Sequence, residues 1–288
     1  MDSGGRVKRA AAAALVTSAA VLLGLGPACA QAPTAAAPEP ARAAELVANW
    51  IDAAGGPDLW DRVTDLRYTI TTVWYDTSGA ELRRRPRHVW IQKHAGGFRV
   101  RVERGEAEGA YVQVWDGTSA WATLNGRALP DTARAVSEIE YVAGDLTYWI
   151  GLPWKLRDPG VRLQWSRSDG RGPGEVLHVT FGSGVGLHDG DQYWYYFPEA
   201  TRPLPREVHY LEEGHPATDR TRTLWSDWRR VGPALHVGRR LIVDPTGRPL
   251  RALLIRDVAP NAGLSDALFD RPRGDGSAQR TGSSSNDS

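Results

Sequence analysis

Residues 98–121 read FRVRVERGEAEGAYVQVWDGTSAW, and the period of two in that stretch decides the fold class. Phe98, Val100 and Val102 alternate with Arg99, Arg101 and Glu103. Tyr111, Gln113 and Trp115 resume the alternation, and Trp121 and Thr123 carry it on. Successive strand side chains point to opposite faces, so this is the pattern of antiparallel strands with one apolar and one wet face. Asp116-Gly117 between two of the runs is hairpin-turn chemistry.

The same period extends outward in both directions. Leu66, Tyr68, Ile70 and Trp74 show it upstream. Downstream it returns at Val161-Leu163-Trp165 and continues through 176–181, 192–197, 206–211, 220–228, 235–243 and 250–258. Asp76-Thr77-Ser78-Gly79, Asn125-Gly126 and Asp244-Pro245-Thr246-Gly247 supply the turns. So many strands in one antiparallel sheet must curl. The expectation is a mainly β (α+β) domain, a half-open antiparallel β-barrel of about eleven to twelve strands. Two segments break the pattern. Leu46, Val47, Trp50, Ile51 and Ala54 recur at helical spacing and predict an N-terminal helix over 42–54, ended by Gly55-Gly56. Ala133, Val136, Ile139, Tyr141, Leu146, Trp149 and Ile150 predict one or two short helices within 131–150, interrupted near Gly144, as a mid-chain lid.

The ends of the chain read differently. Residues 1–30 have the three parts of a secretory signal peptide: Arg6, Lys8 and Arg9, then the apolar run from Ala10 to Leu25, then Pro27-Ala28-Cys29-Ala30. That run falls short of the roughly 20 residues that span a bilayer, so no transmembrane span is expected in the mature chain. Cys29, the one cysteine, has two open fates: removal with the leader, or lipidation as the first residue of a lipoprotein. The expected location is therefore the periplasm, with or without a lipid anchor. Residues 31–42 are an Ala/Pro linker, 43–270 one domain, and 271–288 a polar disordered tail, in which Arg273-Gly274-Asp275 is a chance tripeptide. The 288 residues contain 35 Lys and Arg against 34 Asp and Glu, a net charge of +1, which argues against a nucleic-acid partner.

Several stretches resemble the LolA/LolB-like superfamily of bacterial envelope proteins, and in particular a LolA-like family of outer-membrane-lipoprotein-sorting type. They are Glu45-Leu46-Val47 with Trp50-Ile51-Asp52-Ala53-Ala54-Gly55-Gly56 and Val63-Thr64-Asp65-Leu66, the hairpin from Trp115 to Trp121, the segment from Tyr148 to Gly160, the segment from Asp191 to Phe197, and the ending from Leu264 to Phe269. The resemblance covers about residues 43–270. It implies a half-barrel of about eleven strands around an apolar cavity, with 131–150 as its lid. In that superfamily LolA shields the acyl chains of lipoproteins and LolB receives them.

Trp makes up 12 of the 25 aromatic residues. Trp74, Trp90, Trp115, Trp121, Trp149, Trp154, Trp165 and Trp194 are the candidates for lining a ligand cavity, with Trp225 and Trp228 beside them; packed core is the alternative reading. Burial is worth about 0.8 kcal/mol per CH₂, and micromolar affinity needs about 8 kcal/mol. A lipid acyl chain therefore suffices as ligand. Arg83, Arg84, Arg85 and Arg87 are candidates for contact with a lipid headgroup or an envelope protein partner; a solvated hairpin arm is the alternative. None of the seven His residues has metal-ligand spacing, His188-Asp189-Gly190-Asp191 reads as a turn, and Ser183 lacks the nucleophile-elbow pattern. No catalytic set, metal or cofactor is expected. The sequence favours a non-catalytic carrier of an apolar ligand, ahead of an envelope sensor or protein-interaction module, and ahead of an enzyme acting on lipids or glycans.

Overall fold

The computed structural model describes residues 39–272 except 96, 168, 172–173, 184, 186–189 and 199–202. The leader, Cys29, residues 31–38 of the linker, His188 and the tail from 273 onward lie outside the described residues. Helix α1 runs Glu39–Ala54. It buries Ala43, Leu46, Val47, Trp50, Ile51 and Ala54, the stripe expected of an amphipathic helix. It begins three residues earlier than its apolar spacing suggests, so residues 39–42 are helical rather than linker. Glu39 lies in the first turn, where the helix dipole favours an acid. Gly55 ends it at φ +130°. A Cβ there would come within 2.5 Å of the Leu59 side chain and 2.8 Å of the Pro233 carbonyl oxygen.

Thirteen strands follow: β1 (Asp65–Tyr75), β2 (Glu81–His94), β3 (Gly97–Glu106), β4 (Gly109–Trp115), β5 (Ala120–Leu124), β6 (Arg127–Ala128), β7 (Val161–Ser166), β8 (Glu175–Phe181), β9 (Gln192–Phe197), β10 (Glu207–Leu211), β11 (Thr221–Val231), β12 (Ala234–Val243) and β13 (Pro249–Pro260). Between β6 and β7 lies helix α2, Ala133–Ile150. The strands form one antiparallel sheet in the order β6-β5-β4-β3-β2-β1-β13-β12-β11-β10-β9-β8-β7. Each strand pairs with its neighbour in sequence, β1 pairs with β13, and the break falls where α2 is inserted. The sheet is open: β6 and β7 are its two edges.

Two elements differ from the sequence reading. The basic run 83–87, to which no period of two assigns a strand, is part of β2, the largely exposed arm of a hairpin paired with β1 from Trp74↔Arg83 to Asp65↔Gln92. Pro86 falls where β2 has no partner on the β3 side, since that ladder begins at His88↔Glu103; a residue without an N–H is tolerated there. The lid is one continuous helix through Gly144. Thr132 caps it by accepting the Ala135 N–H at 3.1 Å.

Strand pleat sorts the side chains into two faces. The inner face carries Leu66, Tyr68 and Ile70 of β1, Val89 and Ile91 of β2, Val100 and Val102 of β3, Leu177 and Val179 of β8, and Tyr195 and Phe197 of β9. These pack with α1 and with Ala143 and Leu146 of α2 in the main core. α1 lies against β7 and β12, and α2 against β3, β4 and β5. The outer face holds smaller clusters, among them Val176, Trp194, Tyr196 and Leu211, and Val114, Trp121 and Phe269.

Trp50 is the central plug of α1. It is 1% exposed, with its ring 5.4 Å from Tyr195, 5.9 Å from Phe197 and 6.1 Å from Trp225. Trp50→Ala is expected to cost about 3–5 kcal/mol through lost burial and a residual cavity. In a domain of this size that is a fall of roughly 10 °C in Tm, checked by thermal melts followed by circular dichroism.

Candidate functional site

Tyr141, Asp145, Tyr148 and Trp149 fall at i, i+4, i+7 and i+8 along α2 and share one stripe of the helix. Beneath that stripe, cross-strand register aligns the inner-face residues of β9 to β13. Tyr193 pairs with Tyr210, Thr223 with Ile242, Ile242 with Arg251, and Arg240 with Leu253. Helix and sheet enclose a cavity of about 300 Å³ that Tyr141, Asp145, Trp149, Tyr193, Tyr210, Arg240, Arg251 and Leu253 help to line. A second space of about 240 Å³ shares Tyr141, Asp145, Asp191 and Tyr193 and is also lined by Phe98, Lys155, Val161 and Phe181.

The walls mix aromatic rings with charged groups, among them Asp191 and Glu212 beside Asp145, Arg240 and Arg251. Trp149 meets Tyr148 and Tyr193 edge-on at 5.4 Å each, Trp225 at 5.9 Å and Tyr210 at 6.4 Å. The Tyr148 and Tyr195 hydroxyls are hydrogen-bonded at 3.0 Å. Burial pushes the Tyr148 phenol far above its ordinary range, so it stays neutral and polar at the cavity wall.

Two charges are buried among these rings. Arg240 is 5% exposed. Its guanidinium lies 4.8 Å from the Trp149 ring centre and 5.1 Å from that of Trp225. It donates through Nη2 to the Trp149 carbonyl at 3.0 Å, answering a carbonyl in the last turn of α2. Burial lowers its pKa to about 10, against the opposing pull of Asp145. Asp145 is pushed the other way: burial raises its carboxyl, although it accepts the Trp149 indole N–H at 2.6 Å and feels Arg240, Arg87 and Arg251.

The aromatic candidates separate by face. Trp149 lines the main cavity. Trp154 stacks on Trp60 at 6.1 Å and donates to the Gly56 carbonyl at 2.9 Å, lining a small cleft of about 50 Å³. Trp115 and Trp165 pack at the border of the main core, and Trp165 donates to Glu175 at 3.0 Å. Trp74 lies under the Arg83 guanidinium at 4.0 Å. Trp90, Trp121 and Trp194 lie away from this cavity, in the outer-face clusters, because each has the opposite pleat parity from the cavity residues on its own or the adjoining strand; Trp90 lines a separate space of about 250 Å³ with His88 and Asp257. Trp194 is clamped between His178, stacked at 4.6 Å, and Arg220 at 3.4 Å.

The arginine run separates in the same way. Arg83, Arg85 and Arg87 pair with Trp74, Thr72 and Ile70 on the inner parity, and Arg84 points to the other face, where it bridges Glu81 at 2.8 Å. Arg85 bridges Glu106 at 3.2 Å. Arg87 lies within electrostatic reach of Asp145 and Arg251. Asp145, Tyr193 and Arg251 are site residues that sequence reasoning missed. One signal was available: Arg251 shares the strand parity of Leu253 and Ile255, a parity otherwise given to the core.

With this geometry in view, comparison with solved structures is informative. A LolA superfamily protein from Nitrosomonas europaea superposes with a TM-score of 0.50 at 10% identity, over 80% of this chain and 97% of its own. The fold is LolA-like. A DUF1329 family protein from Desulfovibrio piger gives 0.47 at 13% identity, over 79% and 97% of the two chains. An outer membrane lipoprotein-sorting protein domain from Vibrio parahaemolyticus gives 0.47 at 10%, over 80% and 97%. No family model and no curated protein matches the sequence. Among the described residues no helix is long and apolar enough to cross a membrane, and no three His, Cys, Asp or Glu side chains are grouped to hold a metal ion.

Opposite the cavity, the outer face of β9 to β11 carries a buried polar chain. The Tyr196 hydroxyl donates to Asp169 at 2.8 Å and lies 3.3 Å from His209, which meets Glu207 at 2.7 Å; Arg222 donates to the same carboxylate at 2.7 Å. Burial alone would raise the Glu207 carboxyl, but the bonds from His209 and Arg222 outweigh it and hold it at about 2. A carboxyl held below its unfolded value stabilises the fold above that value and loses the contribution as pH falls from about 4.5 to 2. Glu207→Gln is expected to remove on the order of 2 kcal/mol at pH 6 and to flatten the dependence of Tm on pH over that window, as read by thermal melts from pH 2 to 7.

Proposed function

We propose that this protein is an exported envelope protein that shelters the acyl chain of a lipid or lipoprotein in the space between the curved sheet and its lid helix, as a non-catalytic carrier. The observation behind this reading is the cavity of about 300 Å³ walled by Trp149, Tyr193 and Tyr210 and roofed by α2. Its size lies at the lower end of the roughly 300–1,000 Å³ of ligand sites, and its flat rings suit methylene chains. The LolA-like fold supports the same reading, as does the signal-like sequence of residues 1–30. A second reading, an envelope protein-interaction module, has the sheet edge at β7 in its favour, because an unpaired edge can accept a strand from a partner.

The direct test is native mass spectrometry of protein purified gently from an envelope fraction, followed by solvent extraction. A reproducible added mass in the lipid range is expected. A bare protein mass together with no uptake of a fluorescent fatty acid would remove the carrier reading and favour the interaction module. Substitution sharpens the test: Trp149→Leu is expected to weaken uptake about tenfold, a loss of about 1.4 kcal/mol. Trp121→Leu, on the outer face, is expected to lower Tm and leave uptake intact.

A further inference from the structure

Among the described residues, four other than glycine hold a positive φ: Asn125, Asp227, Asp257 and Asn261. That conformation is costly for a residue with a Cβ and persists where its surroundings hold it. In three of the four the side chain supplies the hold. Asn125 accepts the Ala110 N–H at 3.0 Å and donates to the Glu108 carbonyl at 2.7 Å. Asn261 accepts the Thr64 N–H at 2.8 Å and donates to the Arg62 carbonyl at 3.2 Å. Asp227 pairs with Arg229 at 3.0 Å and with Arg256 at 2.9 Å. Asp257, at φ +55°, is exposed and has no hydrogen bond or ion pair from its side chain to a described residue.

A β-bulge puts it there. The ladder of β1 with β13 steps from Arg67↔Ala259 to Thr69↔Arg256, so Asp257 and Val258 together face Tyr68. Ile255 and Val258 both pack in the main core, and the extra residue between them frees Asp257 for the outer face. There it borders a space of about 250 Å³ with Arg67, Thr69, His88 and Trp90. These four form two cross-strand pairs, Arg67↔Trp90 and Thr69↔His88. Trp90 rests on the outer cluster of Val114, Trp121 and Phe269 and is half-buried. The charges around the space are spoken for: Arg101 and Glu103 bridge each other at 2.6 Å, and Arg256 bridges Asp227. Arg67, like Asp257, has no ion pair with a described residue. One guanidinium and one carboxylate thus remain at the rim, with no surplus of either sign.

We infer that this outer-face space binds a single neutral sugar ring, its C–H face laid on Trp90 and its hydroxyls held by Arg67 and Asp257. The face of an indole is electron-rich and attracts C–H groups. A guanidinium only donates and a carboxylate only accepts, whereas a hydroxyl does both. A neutral polyol therefore answers Arg67 and Asp257 together, and a ligand of fixed charge would leave one of them opposed. The volume falls below the roughly 300–1,000 Å³ of drug-sized ligand sites, which limits the occupant to one ring and its substituents. The strained backbone of Asp257 then has a use, since it presents the carboxylate to the ligand. This site lies on the opposite side of the sheet from the lid cavity and does not depend on the lipid-binding reading.

The test is saturation-transfer NMR on the full chain with the methyl glycosides of glucose, galactose, mannose and N-acetylglucosamine. At least one glycoside is expected to receive saturation at its ring C–H protons, with an affinity in the millimolar range. Trp90→Ala and Asp257→Gly are each expected to weaken it tenfold or more, and Trp149→Leu, on the inner face, to leave it unchanged. Asp257→Gly carries a second signature. Glycine takes a positive φ without strain, so Tm is expected to hold or rise while sugar binding is lost. If Trp90→Ala does not fold, Asp257→Gly still decides the matter. Saturation of none of the four glycosides, or binding that survives Asp257→Gly, would overturn the inference and leave the lipid-binding reading in place.

Discussion

A single sheet of thirteen strands has an inner face that this chain must cover with its own residues, and the rest of the structure depends on how it does so. α1 covers the part near β7 and β12 by driving Trp50 among Tyr195, Phe197 and Trp225. α2 covers β3 to β5. Between the two helices the cover is incomplete, and the cavity is what remains. Its walls follow from that arrangement: core-facing positions of β9 to β13 that neither helix fills, closed over by one stripe of α2. α2 thus does double duty, as packing for the core and as boundary of the site.

The fold was legible wherever a strand has one wet face. Phe98, Val100 and Val102 against Arg99 and Arg101 announce β3 directly. β9, with Tyr195, Tyr196 and Phe197 all buried, shows no alternation and is recognisable by its short apolar run between turns. β2 was hidden because the run 83–87 offers no apolar residue to count; its strand character comes from the ladder to β1, a long-range fact that no local period carries. The lid reads as interrupted at Gly144 on propensity, yet the helix continues, because packing of Ala143 and Leu146 against the core outweighs the entropic cost of one glycine.

The site was less legible, for a reason of geometry. Abundance of Trp says nothing about face: Trp194 and Tyr195 are adjacent in sequence and lie on opposite sides of the sheet. What does mark the site is arginine at the parity of the core. Arg87 precedes Val89 and Ile91, Arg104 follows Val100 and Val102, and Arg251 precedes Leu253 and Ile255. A charge in such a position has to be answered by something in the interior: Glu106 bridges Arg104, and the carboxylate that acts on Arg87 and Arg251, Asp145, comes from a helix more than a hundred residues from Arg251 in the chain. Spacing along the sequence could not bring those two together.

The pairing of β1 with β13 sets an order on how this molecule can assemble. β1 has its hairpin with β2 early, but its other edge stays unsatisfied until residues 249–260 have been made, and α1 waits for β7 and β12. Contacts of such long sequence separation close slowly, because the loop entropy comes before the reward. The first segment of the domain to leave a ribosome is therefore among the last to be fixed in place. A beginning that cannot commit before its own end arrives leaves the sheet without its central seam until the whole domain is present.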